Sequence, residues 1–252
     1  MSKDIQPIVE GWDYHPGQVT VRRIAGQNGK EKLQMRLQLG VLQMENSGRP
    51  DGQRPYGYES LLDYFASILD KLKGQDKEDD FELTVQDCAD LRDEAQQYYY
   101  RYLALFHLGD HAAVIRDTDR NLRVFDLLRD YAKIDADRFS LEQCRPYVVM
   151  MNARSRASLA LRDNDLNAAY KALQDGMGLV RKFFEDHGQP KLAEKSDEYR
   201  VMSKQADELR EVLPRDPLAV LRERLDAAVR EERFEEAARL RDKIRKLEGS
   251  SK

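Results

Sequence analysis

The chain has 252 residues, of which 35% are charged and 41% hydrophobic, and its formal net charge is −4 at pH 7. This length suits one main domain with smaller attachments, and the abundance of charged helix-forming residues favours amphipathic helices over thick sheets. The slightly acidic balance excludes a global positive field that would gather nucleic acid or anionic membrane.

Residues 1–57 are predicted to form a β-hairpin followed by a Gly/Pro-rich loop. The β-branched run VTVRRIAG at 19–26 precedes the turn sequence GQNG and the stretch KEKLQMRLQLGVLQM, in which apolar and polar residues alternate. Strict alternation is typical of a strand with one buried face, and two such runs around a Gly/Asn turn predict a hairpin. The loop ENSGRPDGQRPYGYE follows, and its glycines and prolines exclude helix and strand.

Residues 58–212 are predicted to form a helical body. Helical periodicity begins near position 58, and polar or Gly/Pro breaks separate further helices over 84–108, 111–132, 147–161, 166–185 and 191–212. The short connections predict antiparallel neighbouring pairs. We therefore predict a mainly α fold.

One helix pair resembles the tetratricopeptide-repeat family. The sequence ASLALRDNDLNAAYKAL places Ala157 and Ala169 at positions where that family has small residues, which allow close helix crossing. The pair before it carries Tyr102 and Val114 there, and the two turns are 55 residues apart (164 minus 109), whereas the family period is about 34. We predict an irregular body of tetratricopeptide-like hairpins, with a plain irregular helical bundle as the alternative.

The C-terminal region is predicted to be a separate unit. The sequence LPRDP at 213–217 predicts a linker, residues 218–248 an antiparallel two-helix hairpin, and residues 249–252 a tail. Within the hairpin, apolar residues recur at helical spacing on both sides of the short connection EER. A hairpin of this size buries too little apolar surface to be firmly stable alone, so it needs another surface to pack on.

This hairpin resembles the UVR motif, which forms the C-terminus of the excision-repair subunit UvrB and also occurs in UvrC. A leucine-spaced helix and an alanine precede the family pattern Phe-Glu-x-Ala-Ala-x-x-Arg-Asp-x-Ile-x-x-Leu, which begins here at Phe234. The resemblance implies a contact between proteins, with a helical hairpin of a partner or with a second copy. The alternative is a hairpin that caps this chain's own body. The predicted contact residues are Leu221, Leu225, Phe234, Ala237, Leu240, Arg241, Asp242, Ile244 and Leu247.

A basic surface is predicted in the N-terminal module. Residues 18–54 carry seven basic and three acidic side chains, a formal charge of +4, close to several aromatic residues. Such a surface can bind nucleic acid, which would suit an accessory factor of nucleotide excision repair, although arginines on the wet face of a strand are commonly only solvated. The loop could equally act as a structural clamp onto the helix that begins near position 58. The candidate nucleic-acid-binding residues are Arg22, Arg23, Lys32, Arg36, Arg49 and Arg54.

The sequence shows no recognisable catalytic or metal-binding motif. The four histidines are scattered, His107 and His111 are separated by the LGD break, and there is no H-E-x-x-H, G-x-S-x-G or P-loop pattern. The helicase of UvrB and the nuclease of UvrC are absent, so their activities cannot be transferred. We predict a non-enzymatic interaction protein without cofactor or metal.

The remaining features indicate a soluble, cytoplasmic protein with no membrane contact. The cysteines Cys88 and Cys144 are isolated in sequence, which predicts reduced thiols. No secretory signal precedes the fold, and the longest apolar runs fall far short of the roughly 18 residues that cross a bilayer.

Overall fold

The structure, a computed structural model, describes residues 4–27, 29–213 and 217–249. The chain divides into two compact units, Met1–Asp207 and Glu208–Lys252. The fold is mainly helical, with a small antiparallel sheet near the N-terminus, which confirms the predicted fold class.

The first unit begins with the short helix α1 (Gln6–Val9) and the strands β1 (Val21–Ala25), β2 (Glu31–Leu37) and β3 (Gly40–Glu45). The helices that follow are α2 (Leu61–Lys73), α3 (Val85–His107), α4 (His111–Tyr131), α5 (Asp135–Arg138), α6 (Arg145–Arg162), α7 (Leu166–Asp186) and α8 (Asp197–Val212). The boundary between the units falls within α8, and the second unit contains the end of that helix, α9 (Pro217–Arg230) and α10 (Phe234–Gly249).

The N-terminal sheet has three strands in the order β1-β2-β3, so the prediction of a two-stranded hairpin was wrong in this detail. Strands β2 and β3 are joined at Gln38 and Leu39, and Leu37 pairs with Gly40 across the turn. A turn of two residues preserves the two-residue alternation, so the sequence pattern continues through it without a break. Leu39, which the pattern placed on the buried face, is instead 91% exposed at this turn.

The body consists of the hairpins α3–α4 and α6–α7, and α4 also packs against α6. The predicted breaks form the two hairpin turns, each with one residue in the left-handed conformation: Gly109 (φ 72°) and Asn164 (φ 58°). The aspartate after each accepts a hydrogen bond from the first turn of the next helix, Asp110 from the Ala113 amide at 3.3 Å and Asp165 from the Ala168 amide at 2.8 Å. These caps explain why the helices start where they do.

The Gly/Pro-rich loop is fixed to the helical body by a buried arginine. Arg101 of α3 is 1% exposed, and its Nη1 donates to the carbonyl oxygens of Glu45 at 3.2 Å and Gly48 at 2.6 Å. Its Nε and Nη2 donate to both carboxylate oxygens of Asp117 in α4, at 2.7 and 2.8 Å. A single side chain therefore holds together the loop, α3 and α4.

A second buried carboxylate extends this clamp to α2. Glu94 of α3 is fully buried and accepts a hydrogen bond from the Leu61 amide at 2.9 Å, at the first turn of α2. Arg49 of the loop lies 3.3 Å from Glu94 and 3.3 Å from Asp51. The loop is thus tied to the start of α2 through Glu94, which agrees with the clamp interpretation of the sequence.

Candidate functional site

The C-terminal hairpin closes through a tight turn between α9 and α10. Glu232 adopts the left-handed conformation (φ 56°), and the Arg233 amide donates to the Ala228 carbonyl oxygen at 2.8 Å. This bond spans the end of α9 in the manner of a Schellman motif, which reverses the chain direction.

Inside the hairpin, α9 and α10 contact each other through apolar residues that lie at equal distances in sequence from the turn. We call this contact the seam. Ala228 faces Ala237 across the turn, and both are buried, at 0% and 7% exposed. Leu240 is 7% exposed and forms one cluster with the two alanines, on which half-buried Leu221 and Leu225 pack. The small alanines allow close approach of the helices, so much of the apolar stripe is buried between the two helices of the hairpin itself.

Phe234, by contrast, is 67% exposed. It is the first residue of α10, one turn before Ala237 on the same stripe, while α9 already ends at Arg230. The position that would face Phe234 therefore falls in the turn, and none of the α9 side chains that the structure describes covers the ring. A large aromatic side chain left in water costs free energy that a partner surface would recover.

The predicted contact residues thus fall into three groups. The side chains of Ala237, Leu240 and Ile244 are buried, at 7%, 7% and 8% exposed, and Leu221 and Leu225 are half-buried. Arg241 and Asp242 are exposed and pair with each other, with Arg241 Nη2 at 3.1 Å from Asp242 Oδ1. Phe234 projects into solvent, and the side chain of Leu247 lies outside the described residues.

The surroundings of Phe234 are acidic. Residues 231–236, hereafter the hairpin tip, have the sequence EERFEE. They include four acidic residues and one basic residue, so their formal charge is −3. Arg233 is already engaged by Glu231, whose Oε2 lies 2.7 Å from Arg233 Nη2, and by Glu236. The depression around the ring is lined by Glu232, Glu235 and Glu236 against Arg233 and Arg239, so negative charge is in small excess there.

The left-handed Glu232 provides a test of the turn. Replacing Glu232 with glycine should stabilise the hairpin by about 0.5–1 kcal/mol, because glycine adopts positive φ without the steric cost that other residues bear. Amide hydrogen exchange over residues 217–249 of the full chain should then slow by roughly two- to fivefold. Glu231→Gly is the control, since Glu231 lacks positive φ, and it should not slow exchange. Equal slowing in both variants would contradict this account of the turn.

The predicted basic surface of the N-terminal module is largely engaged inside the first unit. Arg22 donates to Gln34 Oε1 at 2.8 Å and to the Ile8 carbonyl oxygen at 2.9 Å, with its guanidinium 3.9 Å from the centre of the Trp12 ring. Arg36 donates to the carbonyl oxygens of Trp12 at 2.9 Å and Gly40 at 3.0 Å. These two arginines hold the N-terminal segment and the strand turn against the sheet.

The remaining members of that set form ion pairs or lie in the loop. Lys32 pairs with Glu45 at 2.5 Å. Arg23 pairs with Glu31 at 2.5 Å and with Asp110 at 2.8 Å. Arg49 takes part in the clamp described above, and Arg54 is exposed. Five of the six candidate side chains therefore have intramolecular partners, which reduces the positive charge available to a phosphate backbone.

The Arg23–Asp110 pair also connects the sheet to the start of α4. Partial burial raises the pKa of Asp110, but hydrogen bonds from Arg23 and from the Ala113 amide outweigh it, so the pKa is lowered overall. The carboxylate therefore stays ionised at neutral pH, where it both caps α4 and pairs with Arg23. This gives Arg23 a structural role.

The rest of the described chain adds little chemistry. Within residues 4–27, 29–213 and 217–249, no group of three or more His, Cys, Asp or Glu side chains is arranged to hold a metal ion. Both cysteines are free thiols: Cys88 is buried, which raises its pKa to about 11, and Cys144 is exposed. In the part of the chain that the structure describes, every helix is too short or too polar to cross a bilayer.

A family model for the UvrB/uvrC motif matches residues 216–250, which confirms the resemblance found in the C-terminal sequence. The match spans α9 and α10 and leaves the first unit unassigned. The comparisons with curated proteins and with solved structures gave no match. The resemblance of α6 and α7 to tetratricopeptide repeats gains no support from these findings, although Ala157 and Ala169 are buried at 4% and 0% exposed.

Sequence reasoning missed the distinction between the closed seam and the exposed Phe234. The stripe of apolar residues includes both, and periodicity alone assigns them to one face. The signal was present in the distance of each residue from the turn, because only residues with a counterpart on the facing helix can be covered within the hairpin.

Proposed function

We propose that the protein is a non-enzymatic adaptor that presents its UVR hairpin to a helical hairpin of a partner protein. The observation that supports this most is the exposure of Phe234 at the tip of a hairpin whose alanine and leucine seam is already closed. A side chain of this kind resembles the aromatic anchors on which binding energy concentrates in protein interfaces. UVR motifs occur in DNA-repair proteins and mediate protein contacts, which is compatible with this role.

The charge of the tip favours a different protein over a second copy. Two copies that meet tip to tip would bring together two segments that each carry a formal charge of −3. Like charges in contact repel. A partner with an apolar pocket and basic residues at its rim would cover Phe234 and neutralise Glu235 and its neighbours. We therefore propose hetero-association as the main use of this surface.

The test is affinity capture with the full chain as bait. The change Phe234→Ala should abolish capture of the partner or weaken it at least tenfold, because an aromatic anchor typically contributes about 2 kcal/mol or more. It should leave the free energy of unfolding within about 0.5 kcal/mol of the wild type, since the ring is mostly in water. Binding is measured by quantitative mass spectrometry and stability by thermal denaturation.

The matched control is Leu192→Ala, which removes a 44% exposed apolar side chain from the first unit. It should leave capture unchanged. The wild-type chain alone should sediment as a monomer at low ionic strength. If Phe234→Ala retains the partners of the wild type, or if the chain dimerises through the tip at low salt, the proposal is wrong.

A further inference from the structure

A cavity of about 530 Å³ lies between α3, α4 and α6 in the first unit. Helices α3 and α6 both pack on α4, and Phe125 of α4 lines the cavity between them. A volume of this size is within the range of small-molecule sites, which are mostly apolar with a few polar groups. The adaptor proposal makes no use of this cavity.

Its walls are rich in aromatic rings. Tyr99 and Tyr102 of α3 meet edge to face with ring centres 5.5 Å apart, and Tyr147 of α6 lies 6.2 Å from Tyr99. Tyr102 and Phe125 are buried, at 1% and 3% exposed, whereas Tyr99 is 36% exposed. Aromatic faces carry partial negative charge and attract cations that have lost part of their water.

The charged groups at the cavity add a second argument. Arg92 lines it but is held by Asp137, whose Oδ1 lies 2.5 Å from Arg92 Nη1. The other oxygen of Asp137 is buried without a hydrogen-bond partner. Asp93 also lines the cavity and is exposed. Because Asp137, which lies behind the lining, neutralises Arg92, the Asp93 carboxylate is the lining charge that can complement a cation.

Cys144 also lines the cavity and does not change the charge of the lining. Although Cys144 is exposed, neighbouring groups shield its thiol from part of the solvent, which raises the pKa, so the thiol remains neutral at physiological pH. Burial likewise raises the pKa of the phenol groups of Tyr102 and Tyr147, which keeps both groups neutral there. The lining thus combines π faces and neutral polar groups with the Asp93 carboxylate and an arginine that is already paired.

We propose that this cavity binds an organic cation with an apolar body, in which an alkylammonium or guanidinium group lies against Tyr99 and Tyr147 and near Asp93. The cation is either a free small molecule or the side chain of a lysine or arginine on another protein. Both sources present the same chemistry to the cavity, and the choice of probes distinguishes them.

The first experiment titrates the full chain with choline and with its neutral isostere 3,3-dimethylbutan-1-ol, followed by saturation-transfer NMR. Choline should bind about tenfold more tightly than the isostere, because the two differ in charge and hardly in shape. Nα-acetyl-arginine amide and Nα-acetyl-lysine amide form the second arm. Tighter binding of these than of choline would indicate a side chain as the natural occupant.

Variants then locate the site. Tyr147→Leu and Asp93→Asn should each weaken choline binding several-fold. Tyr170→Leu, which changes another half-buried tyrosine on α7 outside the cavity lining, should leave binding unchanged. A measurement without mutation uses Cys144: bound choline should slow its alkylation by iodoacetamide, while buried Cys88 stays unreactive. Equal affinity for the isostere, no binding of any cation, or choline binding that leaves Cys144 unprotected would overturn the proposal.

Discussion

Replacing Asp117 with alanine should lower the free energy of unfolding by about 3–5 kcal/mol, because it leaves the guanidinium of Arg101 buried without its counter-ion. The two side chains are 0% and 1% exposed and share two hydrogen bonds of 2.7 and 2.8 Å. For a unit of this size, such a loss corresponds to a melting temperature lower by roughly 6–20 °C. Thermal denaturation followed by circular dichroism measures it.

The control for this prediction is an exposed ion pair. Lys171 and Asp175 of α7 pair at 2.5 Å, with side chains 72% and 60% exposed. Asp175→Ala should cost less than about 1 kcal/mol, since solvent screens such pairs. Because Arg101 also holds the carbonyl oxygens of Glu45 and Gly48, Asp117→Ala should additionally speed amide exchange in the loop. A loss no larger than that of Asp175→Ala would show that the buried pair is not what fixes the loop.

The second large effect is expected at Gly176 of α7. A β-carbon added there would lie 2.5 Å from Ala153 Cβ of α6 and 2.8 Å from Met202 Sδ of α8. Distances this short cannot be relieved by a small side-chain shift, so Gly176→Ala should destabilise the first unit by about 1–3 kcal/mol. This outweighs the gain in helix propensity of up to about 1 kcal/mol that alanine normally brings.

Gly178 provides the matched control for that change. It lies two residues further along the same helix and is exposed, and a β-carbon added there would meet no atom within 4 Å. Gly178→Ala should therefore stabilise the unit by up to about 1 kcal/mol. Chemical denaturation of the two variants should give changes of opposite sign. Stabilisation by Gly176→Ala would contradict the close crossing of α6, α7 and α8.

Local signals in the sequence predicted the helical body well. The breaks at Gly109 and Asn164 mark left-handed turns, and the aspartates after them mark helix starts. Each of these signals acts between residues that are close in sequence, and backbone conformation responds directly to it. The same reasoning failed at Leu39, where a two-residue turn preserved the alternation of a strand.

Long-range contacts were beyond such reasoning. Nothing near Arg101 in sequence indicates that it binds Asp117 and the loop at Gly48, which are brought together only by the fold. For the same reason the sequence predicted that the N-terminal arginines are free to bind nucleic acid. In the structure, Arg22 and Arg36 instead donate hydrogen bonds to groups in the same unit. The aromatic cavity depends on three helices at once and was equally invisible in the sequence.

The central claim is that Phe234 contacts another protein while the rest of the seam is satisfied within the hairpin. The most direct measurement is photo-crosslinking in cells that produce the full chain, with a photoreactive phenylalanine analogue placed at Phe234 or, as a control, at exposed Leu192. The account predicts crosslinks from position 234 to a different protein and none from position 192. Crosslinks from position 234 only within its own chain would contradict it.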